Sequence, residues 1–578
     1  MQKISKALRI IIFLYILPLC CFASQSHPEA ATKIESKSLA YAKSQMAVTN
    51  NKWATKAALE ILNQGGNAFD AAIAASFVLG LTEPQSSGIG GGGYALTYNS
   101  KTKELIAYDG REVAPLAAEP NWFLDESGQP LTFIQAMMSA KAVGVPSEVA
   151  LLYKLHQKQG KLAWAKLLQP AITLAENGFP MSPRLYKLLS LDKKYLVGNQ
   201  QITNVYFESG DIKLVGNKVI NKEYANTLKQ IAQNPQTFYT GKIARDIIKA
   251  INQKAGKTIY TSSDLANYKV TTKPGLCTKY RDKYNVCSIP PSSGGGIAVL
   301  ELIKIFANKY NGVDVNDINW VYHFSQASKL AFADRDQYIA DPKFVKQTLT
   351  GLLGDGYIKS RSQLIGDTAF KTPVAAGIPQ GIDPKYAADT SQKRPGTTSL
   401  AIVDKYGNAI TMTVTVEHQF GSHIFVDGFF LNNELTDFSF TPTGKNGKII
   451  ANRVEAGKRP RSSMTPVMVF ESGGLELLTG SPGGGVIICY VAKNLIQVLD
   501  FKMNIADAIA TPNLCSLNGA LIVEKNSSLS VKIPQLEVLG ESVVQNDLVS
   551  GVTSIKRAAD GGWYGAADPR REGVASGL

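Results

Sequence analysis

The chain has little of what marks several large classes of protein. Its 578 residues include only six cysteines and five histidines, and neither set has zinc-site spacing. No apolar run after residue 23 reaches the roughly 20 residues of a membrane helix. Basic residues exceed acids by 14, but no basic stripe with interleaved aromatic residues indicates nucleic-acid binding. We therefore expect a globular protein without metal or organic cofactor, without a nucleic-acid partner and without a stable membrane anchor.

The glycine-rich stretches also lack the endings of nucleotide-binding loops. Residues 88–93 are not followed by the Lys-Ser/Thr of a phosphate loop. Residues 480–485 do not match the Gly-x-Gly-x-x-Gly fingerprint. They follow a predicted strand and precede a predicted helix, which makes them a good source of backbone N–H groups for an oxyanion. Residues 290–296 also lead into a helix, where they either bind an anion or form a tight structural turn.

The first 23 residues resemble a secretory signal peptide. Lys3, Lys6 and Arg9 precede an apolar run that ends at Ala23, a small residue suited to cleavage. We expect a periplasmic or secreted protein, with a mature net charge near +11 because three of the excess cations lie in the leader. Cys277 and Cys287 flank a predicted turn between two short strands, so they form either a disulfide or a pair of free thiols. Cys489 falls in an apolar helical pattern and is expected to be buried.

A hairpin is predicted in the second half of the chain. A polar, Pro/Gly-rich region, residues 343–395, is expected to be an exposed processing segment ahead of Thr397. The apolar strands on either side of Lys405-Tyr406-Gly407 predict a hairpin with Gly407 at positive φ. If Asp404 faces Asn408, Thr397 faces Thr415.

That pairing suits an N-terminal threonine nucleophile. A hydroxyl needs a base, and the free α-amine of the same residue can serve if the chain is cut between Gly396 and Thr397. Gly396 carries no side chain, so the bond is open to attack. The alternative is an edge strand that starts with threonine, a residue with high β-propensity.

Arg111 follows a predicted strand, at 105–108, where ligand-binding residues often lie. A guanidinium there can hold a carboxylate through two hydrogen bonds, or it can pair structurally with Asp109 or Glu112. Residues 136–255 are mostly helical in pattern, without a catalytic constellation. The histidines form no triad. His418 and His423 are expected on surface loops, with a place in the pocket lining as the alternative. The alternation of helices and strands around antiparallel hairpins predicts a layered α/β sandwich.

Taken in order, the motifs resemble the γ-glutamyltransferase (glutathione hydrolase) family of N-terminal nucleophile hydrolases. The resemblance runs from about residue 47 to 570. It rests on the Thr397-Thr398 pair together with these segments: 88–93, 109–115, 290–295, 431–433, 437–439, 459–466, 480–484 and 568–570.

The resemblance implies a four-layer αββα sandwich and a precursor that cuts itself into a large subunit, 24–396, and a small subunit, 397–578. It also implies ping-pong acyl transfer from a small γ-glutamyl donor such as glutathione to water or to an amino-acid or peptide acceptor. It implies Thr397 as the nucleophile, a hydroxyl that Thr415 supports, and backbone N–H groups of Gly483 and Gly484 as the oxyanion hole. It further implies that Arg111, Ser462 and Ser463 bind the donor α-carboxylate. Asp437, with Glu434 nearby, would bind the donor α-amine.

Two departures from the family pattern affect the expected donor. Glu417 stands where the family often has asparagine, and a carboxylate 4 Å from the donor α-carboxylate costs of order 4 kcal/mol at an effective dielectric of about 20. Residues 440–457 form a shorter lid without tyrosine, which predicts a more open site. An amidase of the same fold, with a poly-γ-glutamyl or glutaryl/cephalosporin-like donor, is therefore the alternative enzyme. An uncleaved binding or structural protein is the alternative from another class.

Overall fold

Two stacked antiparallel sheets form the centre of the molecule. The computed structural model describes residues 34–391 and 396–578, so the predicted leader, residues 1–23, lies outside the described residues. Each sheet has seven strands, and helices cover both outer faces. This is the αββα sandwich expected from the sequence.

The first sheet contains the predicted hairpin and is called the hairpin sheet. Its neighbouring strands are all antiparallel. In spatial order they are Val574–Gly577, Met46–Thr49, Thr398–Val403, Ala409–Thr415, Gly92–Tyr98, Leu105–Gly110 and Thr271–Pro274.

The other sheet is called the partner sheet and is also antiparallel throughout. Its strands, in spatial order, are Ala40–Ala42, Trp563–Ala567, Thr553–Arg557, Gly474–Gly480, Val467–Glu471, Tyr284–Ser288 and Leu276–Tyr280.

The hairpin has the register that the sequence predicts. Thr398 pairs with Val414 and Val403 with Ala409, and Gly407 takes a φ of 81° at the turn. The Thr398–Val403 strand is buried on both faces, which explains its continuous apolar run. Leu400 and Ile402 pack toward the helices. Their alternate neighbours Ala401 and Val403 pack between the sheets, because successive side chains of a strand point to opposite faces.

Helices from the first half of the chain cover the hairpin sheet. The central one, Ala68–Thr82, is buried along its whole length, and its small alanine side chains allow close packing. Helices over 183–196 and 200–206 lie within the region 136–255 that the sequence predicts to be mostly helical. The α-helices of this layer are Lys52–Asn63, Ala68–Thr82, Phe133–Met137, Glu148–Gln159, Trp164–Asn177, Pro183–Leu196, Gln200–Tyr206, Lys222–Gln233, Thr237–Thr240, Lys242–Ala255 and Ser262–Ala266.

Helices from the second half of the chain cover the partner sheet. The segment 343–395 was expected to be exposed, but two short helices lie inside its described part and bury Leu352 and Ile358. These helices are difficult to predict because the segment is polar and each helix buries only one to three side chains. The α-helices of this layer are Gly295–Lys309, Ile318–Tyr338, Leu349–Leu353, Asp355–Gln363, Ile487–Leu499, Ile505–Ala510 and Ile533–Val538.

Smaller elements complete the fold. The described part of the chain contains two disulfides: Cys277–Cys287, which links directly paired strand residues, and Cys489–Cys515, a pairing that the sequence did not predict. Among residues 34–391 and 396–578, no helix is both long enough and apolar enough to cross a membrane. The remaining strands are Phe179–Pro180 with Lys218–Val219, Phe207–Glu208 with Asp211–Ile212, Phe425–Val426 with Phe429–Phe430, and the three-stranded set Leu514–Ser516, Leu521–Glu524 and Val543–Asn546.

Candidate active site

A small pocket lies where the hairpin sheet begins its Thr398–Val403 strand. Its cavity measures about 20 Å³, which is room for roughly one water molecule. Gly396, still joined to Thr397 in this chain, forms part of its wall. The lining residues are Arg111, Gly396, Thr397, Thr415, Glu417, Glu434, Asp437, Ser462, Ser463, Met464, Gly484, Gly485 and Ile487.

The two threonines meet as the strand register requires. Thr397 Oγ1 donates to Thr415 Oγ1 at 3.2 Å, and both residues are buried. The Glu417 backbone N–H donates to the same Thr415 oxygen at 2.8 Å. Thr415 is therefore held in place from its own loop while it accepts the hydrogen of the Thr397 hydroxyl.

The bond before Thr397 is tightly confined. A Cβ placed on Gly396 would lie 1.8 Å from the Glu417 carbonyl oxygen, so only glycine fits there. Thr397 has a φ of 141° and Glu417 a φ of 77°, a region that β-branched and bulky residues rarely enter. Such backbone persists only where the surrounding structure fixes it, at a cost of about 1–3 kcal/mol for each residue.

Arg111 forms the charged wall of the pocket. Its guanidinium is buried and pairs with both Glu434 and Asp437, which come from the short 3₁₀ turn Glu434–Asp437. Its Nε donates to the Pro460 carbonyl at 3.1 Å. Neither structural pair considered from the sequence forms through the guanidinium, since Asp109 instead accepts from the Arg111 backbone N–H at 3.0 Å.

Glu434 is a pocket carboxyl whose protonation state changes near neutral pH. Burial raises the pKa of Glu434 to about 7, Arg111 opposes the rise and Asp437 adds to it. Glu112, buried behind Arg111, has a pKa raised well above its ordinary value by burial and by Glu434. Near neutral pH this wall therefore carries a variable negative charge around one fixed cation.

Glu417 and the two serines complete the pocket walls. The Asn433 side-chain amide donates to the Glu417 carboxyl. Ser463 Oγ accepts from Arg335 Nη2 at 2.6 Å, while Ser462 Oγ accepts from the Met464 N–H at 3.1 Å. Both serine hydroxyls keep their own hydrogen, which can be donated to an anion.

The structure brings together all but one of the predicted site residues. Gly484 lines the pocket with Gly485, whereas Gly483 is not among the described lining residues. His418 and His423 were expected on surface loops, and that expectation was wrong because both are buried. His423 Nε2 lies 3.1 Å from an Asp192 carboxylate oxygen, and neither histidine is among the lining residues.

Three residues that the sequence analysis missed hold the backbone around Thr397. Arg571 Nη1 donates to the Thr397 carbonyl at 2.8 Å. The Thr398 hydroxyl bonds to Glu83 Oε2 at 3.1 Å and to Asn50 Oδ1 at 3.2 Å. Arg571 directly follows the 568–570 motif, which gave a positional signal, but nothing in the sequence connects the three positions with Thr397.

The γ-glutamyltranspeptidase family model matches residues 54–578. The chain belongs to this family. The "glutathione hydrolase proenzyme" of Bacillus subtilis strain 168 is 34% identical over 557 residues, which cover 94% of this chain and 93% of the relative. The protein of the same name from Escherichia coli K12 is 34% identical over 551 residues, covering 92% and 91%.

Solved structures agree with the family assignment. A cephalosporin acylase from Bacillus halodurans superimposes with a TM-score of 0.83 at 26% identity, over 96% of this chain and 99% of that one. A γ-glutamyltranspeptidase chain from Helicobacter pylori superimposes with a TM-score of 0.53 at 30% identity, over 58% of this chain and 95% of that one. The fold of the cephalosporin acylase therefore extends over nearly the whole chain.

Proposed function

We propose that the protein is a self-processing γ-glutamyl hydrolase and transferase that acts on glutathione and related γ-glutamyl compounds. The observation that carries the proposal is the Thr397–Thr415 hydroxyl pair beside the Arg111, Glu434 and Asp437 cluster. One set of groups supplies a nucleophile, and the other recognises an amino acid through its charged ends. The relatives named as proenzymes support a precursor cut between Gly396 and Thr397 into subunits 24–396 and 397–578, after removal of leader 1–23 and export.

Processing prepares the base as well as the nucleophile. While Thr397 is bonded to Gly396, its nitrogen is an amide and cannot accept a proton. Cleavage converts that nitrogen into an α-amine beside the hydroxyl, which is the arrangement an N-terminal nucleophile requires. It also detaches Gly396, which fills part of the pocket, and so makes room for a donor.

The donor reaction then has two steps. The Thr397 amine takes the hydroxyl proton as Oγ1 attacks the γ-carbonyl carbon, and the leaving amine departs with a proton. Backbone N–H groups at 483–485 stabilise the oxyanion, an interaction whose loss typically costs about 100-fold or more in rate. Water or an acceptor amine then attacks the γ-glutamyl ester and restores Thr397.

The charged wall orients the donor. Arg111, Ser462 and Ser463 receive the α-carboxylate, and Asp437 receives the α-ammonium. Because Arg111 pairs with Glu434 and Asp437 in this structure, the donor carboxylate must replace one of these contacts. Glu434 is the one to yield, since its pKa of about 7 lets it become neutral.

An acylase with another donor is the second candidate. Its support is the cephalosporin acylase structure that superimposes over nearly the whole chain, together with Glu417, whose carboxylate disfavours a donor α-carboxylate. The carboxylates of Glu434 and Asp437 beside Arg111 favour a donor that carries an α-ammonium group, so the γ-glutamyl donor remains the better supported of the two.

The deciding experiment is intact-mass and N-terminal analysis of the purified mature protein, followed by assays on a γ-glutamyl anilide and a glutaryl anilide. A fragment that begins at Thr397, with release of the γ-glutamyl anilide, supports the proposal. Cleavage with preference for the glutaryl anilide supports the acylase. A chain that stays whole contradicts both and favours the binding-protein alternative.

A further inference from the structure

The backbone on each side of the Thr397 N–Cα bond is held by a different part of the molecule. The φ of 141° at Thr397 is set by the Gly396 carbonyl carbon on one side and by the Thr397 carbonyl carbon on the other. A strained φ lasts only if both sides are fixed. The contacts that fix each side can be identified separately.

The Gly396 side is held by the loop after the second hairpin strand. A Cβ on Gly396 would lie 1.8 Å from the Glu417 carbonyl oxygen, which shows how closely the two backbones pack. Glu417 is itself held because its N–H donates to Thr415 and its carboxyl accepts from Asn433. This side of the bond cannot relax by moving toward the loop.

The Thr397 carbonyl side is held by Arg571, from the other end of the chain. Its Nη1 donates to the Thr397 carbonyl oxygen at 2.8 Å, and the side chain is almost fully buried. A charged donor gives a stronger hydrogen bond than a neutral one. Arg571 is not among the described pocket-lining residues, so it contacts the nucleophile residue but not the donor site.

The next residue is fixed as well. Thr398 bonds through its hydroxyl to Asn50 and Glu83, and the Ser399 N–H donates to Asn50 at 2.7 Å. Burial raises the pKa of Glu83 to about 7, and the charges of Arg184 and Arg571 partly oppose that rise. The carbonyl, the following side chain and the following N–H are therefore all held.

We propose that Arg571 is a positioning residue for self-cleavage, which holds the Thr397 carbonyl so that the strained φ persists until the bond before it breaks. The inference rests on the proposed function, because it assumes that Thr397 is the cleavage site. After cleavage the same bond keeps the Thr397 hydroxyl oriented for turnover.

The chemistry shows why the strain matters only before cleavage. Thr397 Oγ1 attacks the Gly396 carbonyl carbon, the C–N bond breaks, and the nitrogen takes the hydroxyl proton to become an amine. Water then hydrolyses the new ester, which leaves the Gly396 carboxylate and restores the hydroxyl. Because φ at Thr397 is defined by the Gly396 carbon, breaking the C–N bond removes the restriction and releases the strain.

The test is a time course of cleavage in newly synthesised full-length chains, followed by mass spectrometry of the fragment that starts at Thr397. Arg571→Met keeps the bulk of the side chain but no donor, Arg571→Lys keeps a charged donor, and Arg557→Met is the matched control at an arginine outside the site. Losing a charge-assisted hydrogen bond predicts cleavage slower by about 10- to 100-fold for Arg571→Met. We expect an intermediate rate for Arg571→Lys and the wild-type rate for Arg557→Met.

Two further readouts separate positioning from stability. Guanidinium at a non-denaturing concentration should accelerate cleavage of Arg571→Ala, and the cleaved variants should show a lower kcat for the anilide with an unchanged KM. Wild-type cleavage by Arg571→Met overturns the inference. So does slow cleavage with a lowered melting temperature that neither lysine nor guanidinium restores. Absence of cleavage in the wild-type chain contradicts the proposed function instead.

Discussion

The two walls of the pocket are built on different principles. The threonine wall consists of hydroxyls and closely packed backbone, with Thr397 and Thr415 brought together by strand register. The arginine wall consists of charges, with Arg111 facing Glu434 and Asp437 across more than 300 residues of sequence. Backbone packing and strand register position the groups of the threonine wall, whereas opposite charges position those of the arginine wall. Substitutions should therefore affect cleavage on one side and donor recognition on the other.

The largest effect is expected at the nucleophile. Thr397→Ala removes the attacking oxygen, so we expect no cleavage and no anilide hydrolysis. Thr397→Ser keeps the oxygen and should keep both. The matched control is Thr411→Val, because the Thr411 hydroxyl is buried in the same hairpin without a hydrogen-bond partner in the described structure. Denaturing gels and the anilide assay measure both outcomes, and a Thr397→Ala chain that still splits at this bond would show that the nucleophile lies elsewhere.

The second-largest effect is expected at the threonine wall, in a variant that removes no reacting group. Gly396→Ala places a methyl group where the Glu417 carbonyl lies at 1.8 Å, so the loop must move. A misplacement of about 1 Å can cost roughly 100-fold in rate. We therefore expect cleavage of Gly396→Ala to be slower by about that factor, so that the uncleaved precursor accumulates. Gly366→Ala is the control, since a Cβ there meets nothing within 4 Å. Equal cleavage rates for the two variants would show that the contact does not constrain the bond.

The third-largest effect is expected at the arginine wall. Asp437→Asn keeps the shape but removes the anion expected to bind the donor α-ammonium. Loss of one charge-assisted hydrogen bond predicts a fall of about 10- to 100-fold in kcat/KM for the γ-glutamyl anilide. Hydrolysis of the glutaryl anilide, which has no α-amine, should not fall, and cleavage should be unaffected. A parallel loss on both anilides would place Asp437 in the general architecture of the site rather than in amine recognition.

The smallest effect is a pH dependence. Burial raises the pKa of Glu434 to about 7, so this carboxyl is neutral below pH 7 and competes with the donor carboxylate for Arg111 above it. The donor KM should therefore rise with pH, by about tenfold from pH 6 to pH 8 if only neutral Glu434 permits binding. Glu434→Gln should flatten that rise and leave cleavage unchanged. The same slope in variant and wild type would assign the titration to another group.

The local parts of this structure were predictable from the sequence. The hairpin, its turn at Gly407 and the opposition of Thr397 to Thr415 follow from apolar patterning and a three-residue turn, because register is fixed once one pair is known. The main helices of the first half follow from their periodicity. The short helices inside 343–395 were missed because each buries so few side chains that composition outweighed periodicity.

The long-range parts required the tertiary structure. Nothing in the sequence indicates that Arg571 reaches the Thr397 carbonyl, that Asn50 and Glu83 hold Thr398, or that Cys489 pairs with Cys515. The resemblance named Arg111, Glu434 and Asp437 but not their mutual pairing, which decides how a donor must enter. The layered sandwich, the hairpin and the candidate nucleophile could be predicted before folding, because these depend on patterns a few residues long. The strain at Thr397 and the charge balance around Arg111 arise only in the folded chain, because both depend on which distant groups are buried together.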